Sequence, residues 1–185
     1  MSENVMQVEP CCYKTEISAI WGNMPKSGTE VFFTNSETQL SEFLGQMVWW
    51  LPGSEVTVAL VHIEDSTLDM LHSLLGRMAV MDDGKSDWLI RKLNIIVQPR
   101  KSRERIEKYL AHHARYSVVT IAERDIAFRC LCIGNEKGNL LLTGSLNQSR
   151  SRSSEMLLLS RDTNLYERSM RKLHAFCHVK APSGI

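Results

Sequence analysis

No hydrophobic run in this sequence approaches the length of a membrane span, and residues 1–25 carry no signal-peptide pattern. The five cysteines are odd in number and fall in no metal-ligand spacing. Cys11 and Cys12 are adjacent near the start of the chain, with no C-x-x-C or H-x-H partner behind them. These absences argue against a disulfide framework and a zinc site. The expectation is free thiols, a cytoplasmic location, no metal and no cofactor. No internal repeat is present. Net charge is also small, at +1, but the mean hides a division. Residues 1–90 hold 4 Lys/Arg and 13 Asp/Glu, giving −9, whereas residues 91–185 hold 18 and 8, giving +10. Two explanations stand: the basic half meets a polyanion, or the halves neutralise each other within the fold or across a dimer.

What remains is a chain of 185 residues, 43% of them apolar, enough for one domain with a sizeable core. The expected division is an N-terminal arm or mobile tail over 1–28, a domain over 29–180 and a short tail over 181–185. Glu30–Thr34 reads as a first strand. Asn35 or Ser36 caps a helix, with Gln39 completing a capping box from Ser36. Leu40, Phe43, Leu44, Met47 and Val48 form its apolar stripe. Trp49-Trp50 closes that helix before Pro52-Gly53, and reads as core or interface packing in preference to a base-stacking platform. Val56–His62 is a β-branched strand. Asp65 or Ser66 caps a second helix with Leu68, Leu71, Leu74, Leu75 and Met78 on one face, closed by Asp82-Asp83-Gly84. Leu93–Gln98 is the next strand, so strand, helix, strand predicts a crossover and parallel pairing. His62 and His72 read as packed or surface residues.

Arg100–Arg115 is the most basic segment. Ile106, Tyr109 and Leu110 give it a narrow apolar stripe, surrounded by Arg100, Lys101, Arg103, Arg105 and Lys108. It reads either as a solvated helix face or as a phosphate-contacting surface with salt-dependent, sequence-independent binding. Tyr116–Ala122 is a further strand. After the region described next, Asp162 or Thr163 caps a last helix with Tyr166, Met170, Leu173 and Cys177 as its stripe.

The stretch Ile126–Glu155 organises the rest. Ile126–Ile133 reads as a strand, Asn135-Glu136-Lys137-Gly138 as a turn and Asn139–Thr143 as the returning strand. Gly144-Ser145-Leu146-Asn147, an Arg/Ser run and Glu155 before Met156–Leu159 follow. This order resembles the second half of a phospholipase D-like domain, which carries His-x-Lys-x4-Asp, a hairpin, Gly-Ser-x-Asn and then a Glu opening the next strand. Here the first motif reads Phe128-x-Cys130-x4-Asn135, with the spacing kept and the three chemical residues replaced. Ser145, Asn147 and Glu155 match the later positions.

The resemblance covers roughly residues 30–178 and implies an α/β fold: a single domain with a mixed sheet flanked by helices on both faces. It also implies homodimers, since single-copy members pair with their motif strands meeting at a shared site. The family cleaves phosphodiesters with one His as nucleophile and a second as general acid, while Lys and Asn hold the phosphoryl oxygens. Phe128 has no lone pair, and the Cys130 thiol is neutral near pH 7 unless its pKa is lowered. With Ile126 and Cys132 these positions form an apolar row on one strand face. The reading is therefore a catalytically degenerate domain. Ser145, Asn147 and Glu155 are its phosphate-site candidates; Arg100, Lys101, Arg103, Arg105, Lys108, Arg150 and Arg152 are its nucleic-acid contacts. The partner is DNA or RNA, the alternative being a protein partner of a regulatory dimer. An active phosphodiesterase is the third reading, with Cys130 as a relocated nucleophile or His112-His113 as a replacement base.

Overall fold

The computed structural model describes residues 24, 28–34, 40–81, 84–99, 102–144 and 155–178. Among them, seven strands form one mixed sheet, with a two-stranded hairpin beside it and four α-helices around it. The elements are β1 (Thr29–Thr34), α1 (Leu40–Trp50), β2 (Ser54–Leu60), α2 (Asp65–Leu75), β3 (Met78–Val80), β4 (Ser86–Trp88), β5 (Ile90–Val97), α3 (Ser102–Leu110), β6 (Val119–Glu123), β7 (Cys130–Asn135), β8 (Gly138–Gly144), β9 (Glu155–Ser160) and α4 (Thr163–His178). Sheet order is β1-β9-β8-β7-β2-β5-β6. The expected crossover is present: β2 and β5 pair in parallel, as do β5 and β6. β7, β8, β9 and β1 run antiparallel to their neighbours.

Strand alternation divides the core in two. Val56, Val58 and Leu60 of β2, Leu93, Ile95 and Val97 of β5, and Leu131 and Ile133 of β7 face one side. There they meet Leu40, Phe43, Leu44, Met47 and Val48 of α1, Leu68, Leu71, Leu74 and Leu75 of α2, and Ile106 and Leu110 of α3. The intervening residues Ala59, Ile96, Cys130, Cys132 and Leu141 face the other side, under Met170 and Leu173 of α4. Three helices thus cover one face and a single helix covers the other. Asp162 Oδ1 accepts the Leu165 amide at 2.9 Å, so α4 has the expected cap.

Several expectations are corrected. Met78 does not extend the α2 stripe. The helix ends at Leu75, because the Gly76 and Arg77 amides turn back to the Ser73 and Leu74 carbonyls, and the chain then enters the β3–β4 hairpin. Gly84 therefore belongs to the hairpin connection, not to the helix end, and Asp82 and Asp83 lie outside the described residues. Tyr116–Val118 is a 3-10 turn, and β6 begins only at Val119. The strand expected from Ile126 begins only at Cys130, its irregular approach running along the sheet edge. The Ser36–Gln39 capping box lies outside the described residues, as do Cys11, Cys12 and both tails except Met24 and Gly28.

Candidate functional site

The parallel strands β2 and β5 both end at one edge of the sheet, Leu60 beside Val97. Ala59 pairs with Cys130, Cys130 with Thr143, and Gly144 with Leu157, so β7 starts, β8 ends and β9 starts at that same edge. In open α/β sheets, ligands collect outside the carboxyl ends of the strands. The described segments gathered here are 61–64, 98–99, the start of α3, 124–129, and residues 144 and 155.

Phe128 departs from expectation. The alternation of residues 126–132 predicts a buried strand face, yet Phe128 lies before β7 and is 41% exposed. Its neighbours Ile126, Cys130 and Cys132 are buried in the α4-side core, so the apolar row exists with Phe128 as its uncovered end. The ring stacks on Phe176 of α4, with centroids 6.4 Å apart and planes 27° from parallel. The backbone around it is held twice: Gln98 Nε2 donates to the Ile126 carbonyl at 2.5 Å, and Thr143 Oγ1 donates to the Arg129 carbonyl at 2.9 Å. Cys132 is buried. Its thiol is hydrogen-bonded with Cys130, and that contact together with burial pushes its pKa far up, which leaves it un-ionised.

Asn135 stands at the other end of β7, five residues or about 16 Å from Cys130 at the usual strand rise. Its Nδ2 donates to the Pro52 carbonyl and its Oδ1 accepts the Lys137 amide, both at 2.8 Å. Asn135 therefore holds the hairpin turn against the β2 approach and touches nothing at the Phe128 edge. An open cavity of about 490 Å³ lies at this far end, lined by residues 134–139 with Thr163, Tyr166 and Glu167.

Gly144 explains the first residue of the Gly-Ser-x-Asn motif without chemistry. Its φ is +148°, and a Cβ there would fall 2.5 Å from the Met156 carbonyl oxygen of β9. Ser145, Asn147, Arg150, Arg152, Arg100 and Lys101 lie outside the described residues. Glu155 opens β9, paired with Thr34.

On α3, Arg103, Arg105 and Lys108 are all exposed. Arg103 Nε binds Glu107 at 2.6 Å; Arg105 donates to the Ile63 carbonyl at 2.6 Å and meets Asp65 at 3.0 Å. Such exposed pairs contribute roughly 0–1 kcal/mol, so a phosphate can compete for these guanidiniums. The described residues of the edge balance: Arg103, Arg105, Arg124 and Arg129 against Glu64, Asp65, Glu104 and Asp125. In sequence, 98–101 and 145–154 carry Arg100, Lys101, Arg150 and Arg152 and no acidic residue.

His113 faces away from this edge. Its Nδ1 accepts the Arg115 amide at 3.0 Å and its ring meets His72 edge-on at 4.6 Å. Burial, His72 and Arg115 lower its pKa. Among the described residues, no group of three or more His, Cys, Asp or Glu side chains is placed to hold a metal, and no helix is long and apolar enough to cross a membrane.

A polar cluster under α4 escaped the sequence reading. Glu55 Oε1 accepts from Lys92 Nζ at 2.9 Å and Asn94 Nδ2 at 2.7 Å, and lies 2.8 Å from His174 Nε2. Burial raises the Glu55 pKa, but the hydrogen bonds from Lys92, His174 and Asn94 outweigh it and hold the carboxyl below its ordinary range. The signal was available: one carboxylate in an otherwise apolar strand, and a histidine adjoining an amphipathic stripe.

Comparison with solved structures identifies the architecture. At 10% sequence identity and a TM-score of 0.50, the chain matches Nuc from Salmonella typhimurium, a phospholipase D family member, over 80% of this chain and 92% of that one. The fold is phospholipase D-like. NucT from Helicobacter pylori matches at 13% identity and a TM-score of 0.52, over 80% of this chain and 95% of that one. Two larger proteins share the fold: polyphosphate kinase from Porphyromonas gingivalis (13% identity, TM-score 0.54, 85% of this chain) and TrmBL2, an archaeal chromatin protein (14%, 0.50, 87%). This chain spans 27% of the kinase chain and 56% of the TrmBL2 chain. No family model and no curated protein matches the sequence.

Proposed function

We propose that this phospholipase D-like domain binds the phosphate backbone of nucleic acid as a homodimer and does not cleave it. The observation that carries the reading is the start of β7 at the sheet's carboxyl edge, where Phe128 is exposed and Cys130 is buried; by the resemblance these two positions correspond to the family's His and Lys. A phosphodiester held there meets cations and no nucleophile. The connections to that edge supply Arg100, Lys101, Arg150 and Arg152 for phosphate, with Ser145 and Asn147 as hydrogen-bonding groups and Glu155 opening the adjacent strand. Arg103, Arg105 and Lys108 of α3 extend the cationic surface. The fold neighbour TrmBL2 is described as a chromatin protein with its own mode of DNA binding, which lends support to a binding role on this scaffold.

Affinity measured against increasing salt tests the proposal, since each phosphate contact adds about 0.9 to the slope for duplex DNA or about 0.7 for single strands. Steep loss of affinity with salt, and none of the turnover of a generic phosphodiester, is the expected result. Absence of binding at low salt would end the reading. Turnover abolished by Cys130→Ser would replace it with the enzyme reading. Light scattering of the purified protein reads the dimer directly.

A second reading has its own observation. Beyond α4, the same sheet face continues onto β9 and β1 with Met156 60% and Val31 54% exposed. An uncovered apolar sheet face suits a protein partner or a second copy. Nuclease-treated pull-downs that recover a protein and no nucleic acid would favour it.

A further inference from the structure

We infer that Phe128, backed by Phe176, is a stacking platform for an unpaired base, which makes single-stranded nucleic acid the preferred ligand of the edge. The inference rests on the nucleic-acid reading above and narrows it.

The first support is exposure. A phenylalanine serving only the core would bury its ring between strand neighbours, as Ile126, Cys130 and Cys132 do on either side. Phe128 instead keeps 41% of its surface open while stacking on Phe176. The second support is preorganisation. Residues 126–129 have no strand ladder, yet they are held by the buried Ile126 side chain, by Gln98 on the Ile126 carbonyl and by Thr143 on the Arg129 carbonyl. The ring is therefore presented on a fixed backbone, and little conformational freedom is lost when a base covers it. The third support is charge. Arg124 and Arg129 lie in the same segment as the ring, and Gln98, which holds that segment, stands two residues before Arg100 in sequence. Aromatic faces beside a cationic track are what single-strand binding requires: bases stack, phosphates pair, and no base edge is read. A duplex keeps its base faces inside its own stack and gains nothing from the ring.

The experiment is a binding titration by fluorescence anisotropy with oligo(dT), oligo(U) and a DNA duplex of equal length. Three proteins are compared: the full chain, Phe128→Leu and Phe128→Trp. Leucine keeps an apolar cover on Phe176 but removes the π face, and urea midpoints verify that each variant folds. Phe128→Leu should weaken oligo(dT) or oligo(U) about tenfold while leaving the salt slope and the duplex affinity unchanged. The strand showing that loss identifies the sugar. Phe128→Trp should restore affinity and show tryptophan quenching by the bound strand that the unsubstituted protein lacks. Undiminished single-strand binding by Phe128→Leu, with steep salt dependence intact, overturns the platform and leaves the backbone-binding reading standing. Equal loss on duplex and single strand also overturns it. Absence of all binding removes both.

Discussion

Replacing Gly134 with alanine would put a methyl group where Tyr166 already stands. Gly134 lies within β7, opposite Glu55 of β2 and Asn139 of β8, on the face that α4 covers. A Cβ at this position would meet the Tyr166 hydroxyl and lie 2.8 Å from Cζ and 3.3 Å from Cε1. Two effects oppose each other. Alanine in a regular element costs about 0.5–1 kcal/mol less conformational freedom than glycine, which favours the variant. Overfilling a formed contact costs about 1–3 kcal/mol, because the half-buried Tyr166 ring must leave its rotamer or α4 must shift outward. The second effect should win, since the ring is wedged between β7 and its own helix. The net loss is about 1–2 kcal/mol, and at about 2–4 °C per kcal/mol the melting point should fall by about 4 °C. Urea denaturation of Gly134→Ala, Tyr166→Ala and the double variant measures it. The double variant should be more stable than the sum of the single losses predicts, by about 1–2 kcal/mol, because the methyl then occupies space the ring has vacated. An unchanged midpoint for Gly134→Ala, or an additive cycle, would refute the contact.

Three further outcomes follow from the polar contacts. Glu55 has a folded pKa below its ordinary 4.5, so its contribution is complete above about pH 4.5 and is lost as pH falls through the depressed value. Glu55→Gln should cost about 1–2 kcal/mol at neutral pH and flatten the acid limb of a stability curve, whereas parallel curves would remove Glu55 from that role. Asn135→Asp should destabilise by about 1–3 kcal/mol because a carboxylate would face the Pro52 carbonyl. The gap should narrow as the new carboxyl protonates; midpoints at neutral and acid pH decide it. Arg115 donates to the Leu75 and Ile90 carbonyls at 3.0 and 2.7 Å and lies 4.2 Å over the Trp88 ring. Arg115→Lys should lose about 1–2 kcal/mol by thermal melting, since one ammonium cannot both fork between two carbonyls and stack on a ring.

The main architecture was legible because it is written in periodicity. Val56, Val58 and Leu60 alternate toward α1–α3, and the stripe Leu40, Phe43, Leu44, Met47, Val48 repeats at helical spacing, so burial by one partner layer follows from local pattern. The misreadings occurred where pattern and tertiary context part. Met78 continues the α2 spacing by coincidence, while the amides at Gly76 and Arg77 turn the chain. Ile126 and Phe128 alternate like strand residues, but an edge segment without ladder partners does not become a strand.

Residue chemistry alone determined that the Phe128 ring carries no lone pair, and that the positive surplus sits in residues 91–185. Only the three-dimensional arrangement decided that Asn135 stands at the far end of its strand, that Glu55 and His174 meet across 119 positions of chain, and that Phe128 is uncovered. The reason is range. Helix and strand periods are set by neighbours three, four or two residues away, whereas exposure at a sheet edge depends on where a distant helix stops. Here α4 reaches Phe176 and covers one side of the Phe128 ring, leaving the other open.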